Sequence, residues 1–216
     1  MKKVLVAVSV GLALTGCGTM NNALVEKKKT VEYYRIFDIK TGADRYDVAE
    51  AASDGLGRNV NSATEATPIP NFSELPEQPG RFALVNPFAG TKMAAFAAMG
   101  GSIGLKIATC EGAVWTATAN RNIAGSSDLK LTACLWQYQG GYHLDTYATF
   151  EKAQGGLMQI SRSMADAMVG TPEEWTEKTF LDIVRSISKV TGAEVSYLEG
   201  HPKLSGTPWL DDYDTM

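Results

Sequence analysis

The sequence predicts an α+β fold in which an antiparallel β-meander packs against one long C-terminal helix, with an N-terminal strand–helix unit before them. Residues 31–39 are rich in aromatic and β-branched side chains, which is typical of a strand. Residues 129–150 contain two further strand-like segments around a Gly-Gly pair, which suits the tight turn of a hairpin. Residues 171–191 combine a helix-start signal with an apolar repeat of helical period.

The N-terminal unit begins with the strand at 31–39, which Thr41-Gly42 ends. Helix-forming residues predict a helix from Asp44 to about Asp54, and the two glycines that follow terminate it. The side chains expected on its buried face are Tyr46, Val48, Ala49 and Ala52.

Residues 58–80 predict a long loop or a segment that wraps around the domain, because prolines recur there among polar residues. These prolines are Pro68, Pro70, Pro76 and Pro79. Long loops in compact domains are uncommon and often functional. A solvent-facing connection is the alternative.

Residues 103–151 predict the antiparallel meander. The hairpin within it has a predictable pairing register. A turn at Gly140-Gly141 would place Tyr138 opposite His143 and Trp136 opposite Asp145. Alternation along the two strands then assigns one face to the core. The side chains expected on that core face are Leu131, Ala133, Leu135, Leu144, Ala148 and Phe150.

The opposite face of the hairpin is the candidate binding surface. Its residues are Trp136, Tyr138, His143, Asp145 and Tyr147, with Cys134 beside them. Aromatic side chains with a few polar groups make good binding surfaces, since they bury much area at low entropic cost. The alternative is that the long helix or the proline-rich segment covers this face and makes it a second core layer.

The helix signal near the C-terminus is the strongest in the chain. Thr171-Pro172-Glu173-Glu174 reads as an N-cap, a proline at the first helical position and a capping box. Gly192 predicts the end of the helix, and residues 193–198 predict a returning strand. Residues 31–200 are thus expected to form a single α+β domain, and residues 201–216 a flexible acidic tail.

Leu14-Thr15-Gly16-Cys17 resembles the lipobox of bacterial lipoproteins, and it follows a short cationic start and an apolar stretch of signal-peptide length. The resemblance implies a signal peptide at residues 1–16, cleavage before Cys17, and lipidation of Cys17. Residues 17–30 would then be a lipidated tether. Gly18 stands where aspartate would imply retention in the inner membrane, so the resemblance favours the outer membrane, with the domain facing the periplasm.

The two remaining cysteines, Cys110 and Cys134, predict a disulfide in an oxidising compartment. A preceding hairpin centred on Gly125 would put Cys110 opposite residue 140, too far from Cys134 for a direct cross-strand bond. Either residues 120–122 form the turn instead, or the strand of Cys110 is not the immediate neighbour. The sequence leaves both arrangements open.

Composition and charge exclude several classes of function. Removal of residues 1–16 takes away two lysines and no acid, so the formal charge changes from -4 to -6. Nucleic acid is therefore not an expected partner, because its binding needs clustered cations. Only His143 and His201 could add nitrogen ligands, and no Cys-x-x-Cys is present, so we expect no metal and no cofactor.

One motif suggests catalysis. Gly100-Gly101-Ser102-Ile103-Gly104 matches the nucleophile elbow of serine hydrolases, with His201 as the base and Asp145 or Asp182 as the orienting acid. A strand-like segment follows the motif where a helix should, and Asp182 lies inside a predicted helix. Catalysis is therefore not expected.

The function expected from the sequence is that of a lipid-anchored periplasmic lipoprotein. It would act as a non-catalytic binding, assembly or inhibitory subunit in the cell envelope, with the membrane and an envelope protein of unknown identity as partners. The alternatives are a small serine hydrolase that uses Ser102 and a carrier of lipid or another small ligand in a cleft between sheet and helix.

Overall fold

The computed structural model describes residues 27–69, 73–91, 106–122, 128–154 and 170–204. These ranges form an α+β fold, as predicted. The strands are β1 (Lys27–Lys40), β2 (Ala63–Ala66), β3 (Ala83–Val85), β4 (Ile107–Thr109), β5 (Trp115–Asn122), β6 (Asp128–Tyr138), β7 (Gly141–Gln154) and β8 (Glu194–His201). The helices are α1 (Arg45–Gly57) and α2 (Pro172–Thr191). Neither of these two helices has the length and apolar character needed to cross a membrane.

Six strands form one sheet in the order β2-β5-β6-β7-β1-β8, and every pair of neighbours is antiparallel. Strands β3 and β4 pair with each other in a separate small sheet. The predicted meander is thus confirmed for β5, β6 and β7. The chain then adds β1 beside β7, so the first strand lies inside the sheet rather than at its edge.

The main core lies between one face of the large sheet and the two helices. The inward residues predicted for the β6–β7 hairpin all belong to this core. Strand β1 contributes Phe37 and Ile39, and α2 contributes Phe180, Ile183 and Ile187. This face is called the helix face below, and the opposite side of the sheet is called the second face.

Helix α1 begins where expected, with Asp44 as its N-cap, but its buried face differs from the prediction. Val48, Ala49 and Ala52 are buried, whereas Tyr46 is 54% exposed. The assignment of Tyr46 was wrong because two residues before Val48 is nearly the opposite side of a helix. The Tyr46 ring lies under the Arg45 guanidinium instead, 4.6 Å from its carbon.

Helix α2 confirms its predicted capping box. The backbone N–H of Glu174 donates to the Thr171 hydroxyl at 3.1 Å, and the backbone N–H of Thr171 donates to the Glu174 carboxylate at 2.9 Å. At the other end, Gly192 adopts the left-handed conformation with φ 67°, as the sequence predicted.

Asp182→Asn is expected to remove part of the acid sensitivity of the fold. Burial by itself would raise the pKa of Asp182, but hydrogen bonds from Asn59 and Lys178 outweigh burial and lower the pKa below its ordinary value of 3.8. Such a group stabilises the folded state above that value and loses its contribution as the pH falls through its folded-state pKa. The free energy of unfolding, measured by urea titration, should therefore fall less steeply below about pH 4 in the variant than in the wild type. Exposed Asp54→Asn is the control, and an acid limb equally steep in Asp182→Asn would contradict the expectation.

The pairing register of the β6–β7 hairpin differs from the predicted register by two residues. Its loop is Gln139-Gly140, so Trp136 pairs with His143, and Tyr138 pairs with Gly141. Gly141 belongs to the strand because β1 approaches it closely: a Cβ there would lie 2.3 Å from the backbone oxygen of Ile39, and φ is +129°. A shift of two residues preserves the face of every side chain, so the predicted core face is correct although the predicted pairs are wrong.

Three predicted boundaries also change. Helix α1 continues through Gly55 to Gly57 rather than ending near Asp54. Strand β1 starts at Lys27, inside the predicted tether, because its first residues continue the ladder with the end of β7. Strand β8 extends to His201, which pairs with Tyr34. The predicted loop at 58–80 contains strand β2, which pairs with β5 at one edge of the sheet. Residues 205–216, the rest of the predicted tail, lie outside the described ranges.

Candidate functional site

The second face carries all five residues of the predicted binding surface. Across the central strands, Trp136 of β6 and His143 of β7 align with Asp38 of β1. The pairing of Tyr147 with Tyr34 lies four residues further along β7. The sequence therefore assigned these side chains to the correct side of the sheet.

Residues 75–82, called the strap below, cover the part of the second face that lies nearest the β6–β7 turn. The backbone N–H of Gln139 donates to the Pro76 carbonyl at 3.0 Å, and the backbone N–H of Phe82 donates to the Asp145 carboxylate at 2.9 Å. Between these two anchors, a Cβ on Gly80 would lie 2.4 Å from the indole of Trp136, so the strap rests directly on that ring.

The strap covers the predicted surface together with the turn that follows Cys110, where the Glu111 carbonyl accepts from the indole N–H of Trp136 at 2.8 Å. Trp136, His143, Asp145 and Tyr147 are each at most 4% exposed, and only Tyr138 is partly exposed. These residues therefore form a second buried layer rather than an open binding face. The proline-rich segment is a covering element, which is one of the two alternatives that the sequence left open.

Asp145 is the polar centre of this layer. One of its oxygens lies 3.1 Å from Nε2 of His143, and the other accepts from the strap and lies 3.6 Å from Nε of Arg81. Arg81 also pairs with Glu199 on β8. The carboxylate thus holds the strap to the sheet and is covered on the solvent side by a half-exposed arginine.

Tyr138 belongs to a separate polar group at the end of the hairpin. Its hydroxyl donates to Asp38 at 2.6 Å and accepts from Lys40 at 2.8 Å. Burial opposes ionisation of Asp38, but the hydrogen bonds from Lys40 and Tyr138 prevail and lower its pKa. For Tyr138, burial and then the Asp38 carboxylate raise the pKa. The group is a satisfied structural triad.

The predicted disulfide is present. Cys110 and Cys134 are bonded, with their Cα atoms 5.5 Å apart. The strand partner of Cys134 is Thr116, and the β5–β6 pairing is centred on residue 125, so the strand of Cys110 is not the immediate neighbour. A turn closed by the N–H of Ala113 on the Cys110 carbonyl brings the cysteine back over the second face.

The predicted hydrolase residues are not assembled within the described ranges. Ser102 lies outside those ranges. His201 is exposed on β8, where its ring stacks on Tyr34 with centroids 6.2 Å apart. Asp145 accepts a hydrogen bond from the strap. Asp182 lies on α2, where it accepts hydrogen bonds from Asn59 and Lys178.

A cleft that the sequence did not predict lies on the second face, below the strap. Strand β4 passes over β5, β6 and β7 there and encloses about 250 Å³. The residues that line it are Lys106, Ile107, Ala108, Thr118, Asn120, Lys130, Leu131, Thr132, Tyr147 and Thr149. Among the described residues, two lysines and several hydroxyl and amide groups line this cleft, and no acidic residue does.

Tyr147 is the one buried aromatic hydroxyl of this lining. Its Oη is shielded from solvent and has no hydrogen-bond partner among the described residues. Burial, with a smaller contribution from the Glu32 carboxylate, raises the pKa of Tyr147 to about 12. The hydroxyl is therefore a neutral donor.

Metal ligation finds no support in the part of the chain that the structure describes, where no three His, Cys, Asp or Glu side chains cluster as ligands would. Two larger surface hollows border α1, and acidic side chains (Asp47, Glu50 and Asp54) line one of them. They are shallow and carry no buried polar group without a partner.

Comparisons with known proteins add no function. No family model matches the chain, and no curated protein matches it significantly. A crystal structure of a conserved protein from Geobacillus kaustophilus is similar over 76% of this chain and 98% of that one, with 10% identity and a TM-score of 0.30. A likeness at that level supports no statement about this protein.

Proposed function

We propose that this protein is an envelope lipoprotein, anchored by lipid on Cys17 to the periplasmic side of the outer membrane, whose domain acts by binding rather than by catalysis. The observation that carries the proposal is the pairing of the cysteines. The chain has three, and Cys110 and Cys134 form a disulfide. Cys17, the remaining one, stands within the sequence that resembles a lipobox. Disulfides persist in oxidising compartments such as the periplasm, so anchor and disulfide favour the same location.

The polar groups of the second face support binding over catalysis. His143 and Asp145, the one histidine–carboxylate contact of the predicted binding surface, are buried beneath the strap. Asp145 also holds the strap by a backbone hydrogen bond. A catalytic pair needs access to substrate, whereas this pair serves to fix a covering segment.

Crosslinking in intact cells tests the proposal of an envelope partner. We expect a stoichiometric adduct between the wild-type protein and one envelope protein, recovered from the membrane fraction. Cys17→Ser should abolish both the membrane location and the adduct, because several acyl chains are needed for lasting attachment. If the wild-type protein gives no adduct above background, the assembly role is wrong.

The hydrolase alternative has a direct test. A fluorophosphonate probe labels activated serines, so the binding proposal predicts no labelling of the native protein. Labelling that disappears in Ser102→Ala would overturn the non-catalytic reading.

A small-ligand carrier is the second candidate, and the cleft under β4 favours it. The sequence predicted that such a ligand would bind in a cleft between the sheet and the helix. The core fills that space, whereas the cleft lies on the other side of the sheet.

A further inference from the structure

We propose that the cleft under β4 binds a small ligand through an oxyanion, a carboxylate or a phosphate, with Lys106, Lys130 and Tyr147 as its contacts. The inference rests on the proposed function only in taking the domain to act by binding. It does not depend on the lipid anchor or on a protein partner.

The charge of the cleft is opposite to that of the protein. The chain carries a formal charge of -4, yet the described residues that line the cleft include two lysines and no acid. Lys130 forms no ion pair with any residue of the described ranges, and its neighbours across the strands are Asn120 and Thr149. A concave site lined by one sign of charge concentrates the field and attracts ions of the other sign.

The hydroxyl of Tyr147 points independently to a ligand. A buried polar group without a partner destabilises a fold, so such groups are rare unless something else satisfies them. Tyr147 is 4% exposed, its ring packs on Phe82 of the strap with centroids 5.5 Å apart, and it lines the cleft. As a neutral donor it can supply a hydrogen bond to an oxyanion, and such charge-assisted bonds are the stronger kind.

Glu32 of β1 forms an ion pair with one of the two lysines of the cleft. Its carboxylate lies 3.5 Å from Nζ of Lys106, the residue before β4, and both side chains are partly exposed. Lys106 therefore already holds an internal carboxylate at the edge of the cleft. An incoming oxyanion would compete with Glu32 for this lysine, so Glu32 should weaken the binding of the ligand.

Calorimetric titration of the full-length protein in mild detergent tests the inference. The probes are inorganic phosphate, acetate and glycerol 3-phosphate, each at an ionic strength held constant with sodium chloride. We expect saturable binding of at least one probe. Lys130→Met should weaken it about tenfold, and Glu32→Gln should strengthen it by removing the competitor. Lys189→Met, an exposed lysine on α2, is the matched control and should leave the affinity unchanged.

Tyr147→Phe separates a ligand contact from a structural role. If the hydroxyl serves only the fold, its removal lowers the melting temperature. We expect instead an unchanged or higher melting temperature, since the hydroxyl bonds to none of the described residues, together with an affinity reduced about tenfold. Unchanged affinity in both Tyr147→Phe and Lys130→Met would overturn the inference.

Glycerophosphoglycerol, the headgroup of phosphatidylglycerol without its acyl chains, stays outside the detergent micelles and distinguishes a lipid headgroup from a free anion. Tighter binding than glycerol 3-phosphate identifies the headgroup as the source of the oxyanion, and weaker binding identifies a free anion. No saturable binding of any probe, by a protein that still yields its envelope adduct, would overturn the cleft inference and leave the proposed function standing.

Discussion

Gly55→Ala is expected to lower the free energy of unfolding by about 3 kcal/mol, because it adds a methyl group where two helices touch. A Cβ on Gly55 of α1 would lie 2.4 Å from the backbone oxygen of Asp182 and 2.6 Å from Cα of Ile183, both on α2. Backbone atoms inside a helix cannot swing away as a side chain can. The helices would have to separate, which would loosen the core beneath them. Urea unfolding monitored by circular dichroism gives the free energy.

Gly57→Ala is the matched control for this prediction. Gly57 is the last residue of the same helix, it is exposed, and a Cβ there would meet nothing within 4 Å. Alanine at a helical position without a steric conflict is favoured over glycine by roughly 0.5–1 kcal/mol. The two substitutions should therefore change stability in opposite directions. A loss of similar size in both variants would contradict the close packing of the helices at Gly55.

Glu177→Gln is expected to destabilise the fold by about 3 kcal/mol, because it leaves a buried cation without its counter-charge. Arg35 of β1 is fully buried, and its Nη2 lies 2.8 Å from the Glu177 carboxylate on α2. Nε of Arg35 donates a hydrogen bond to the other carboxylate oxygen at 3.1 Å. Arginine stays protonated in proteins, so it cannot escape the penalty by losing its charge.

The exposed pair of Arg81 and Glu199 provides the control for the buried pair. Both side chains are about half exposed, at 49% and 51%. Ion pairs at the surface contribute little, so Glu199→Gln should change the free energy of unfolding by less than about 0.5 kcal/mol. Equal effects of Glu177→Gln and Glu199→Gln in thermal and urea unfolding would show that burial does not decide the strength of the first pair.

Local signals in the sequence predicted the elements whose contacts are local. The capping box at Thr171 and Glu174 bonds residues three apart, so its pattern specifies its own geometry. The faces of the β6–β7 hairpin were also predicted correctly. Side chains alternate with a period of two, so the error of two residues in register left every face unchanged.

Contacts between distant segments were the part that the sequence could not predict. The strap is held through backbone atoms of Pro76 and Phe82, and backbone groups are the same at every residue. Nothing in the composition of residues 58–80 indicated which face they would cover. For the same reason, the sequence left open whether the strand before Cys110 lies next to the strand of Cys134. That strand, β4, pairs with β3 rather than with β6.

The cleft under β4 shows the same limit. Lys106 precedes Thr118, the nearest cleft residue outside the segment 106–108, by 12 residues. Its position over the sheet depends on the path of the chain between these elements. The sequence predicted Tyr147 only as one member of the candidate binding surface. That its hydroxyl is buried and bonds to none of the described residues follows only from the fold, since burial and hydrogen-bond partners are properties of the packed structure.

Intact-mass spectrometry of the protein extracted from bacterial membranes tests the central claim, which is anchorage through Cys17 with the other two cysteines bonded. The account predicts a chain that begins at Cys17, carries a diacylglyceryl group and an acyl chain there, and lacks the two thiol hydrogens of Cys110 and Cys134. Trypsin peptides would place the lipid on Cys17. The mass of the intact 216-residue chain, without lipid and with three alkylatable thiols, would contradict the account.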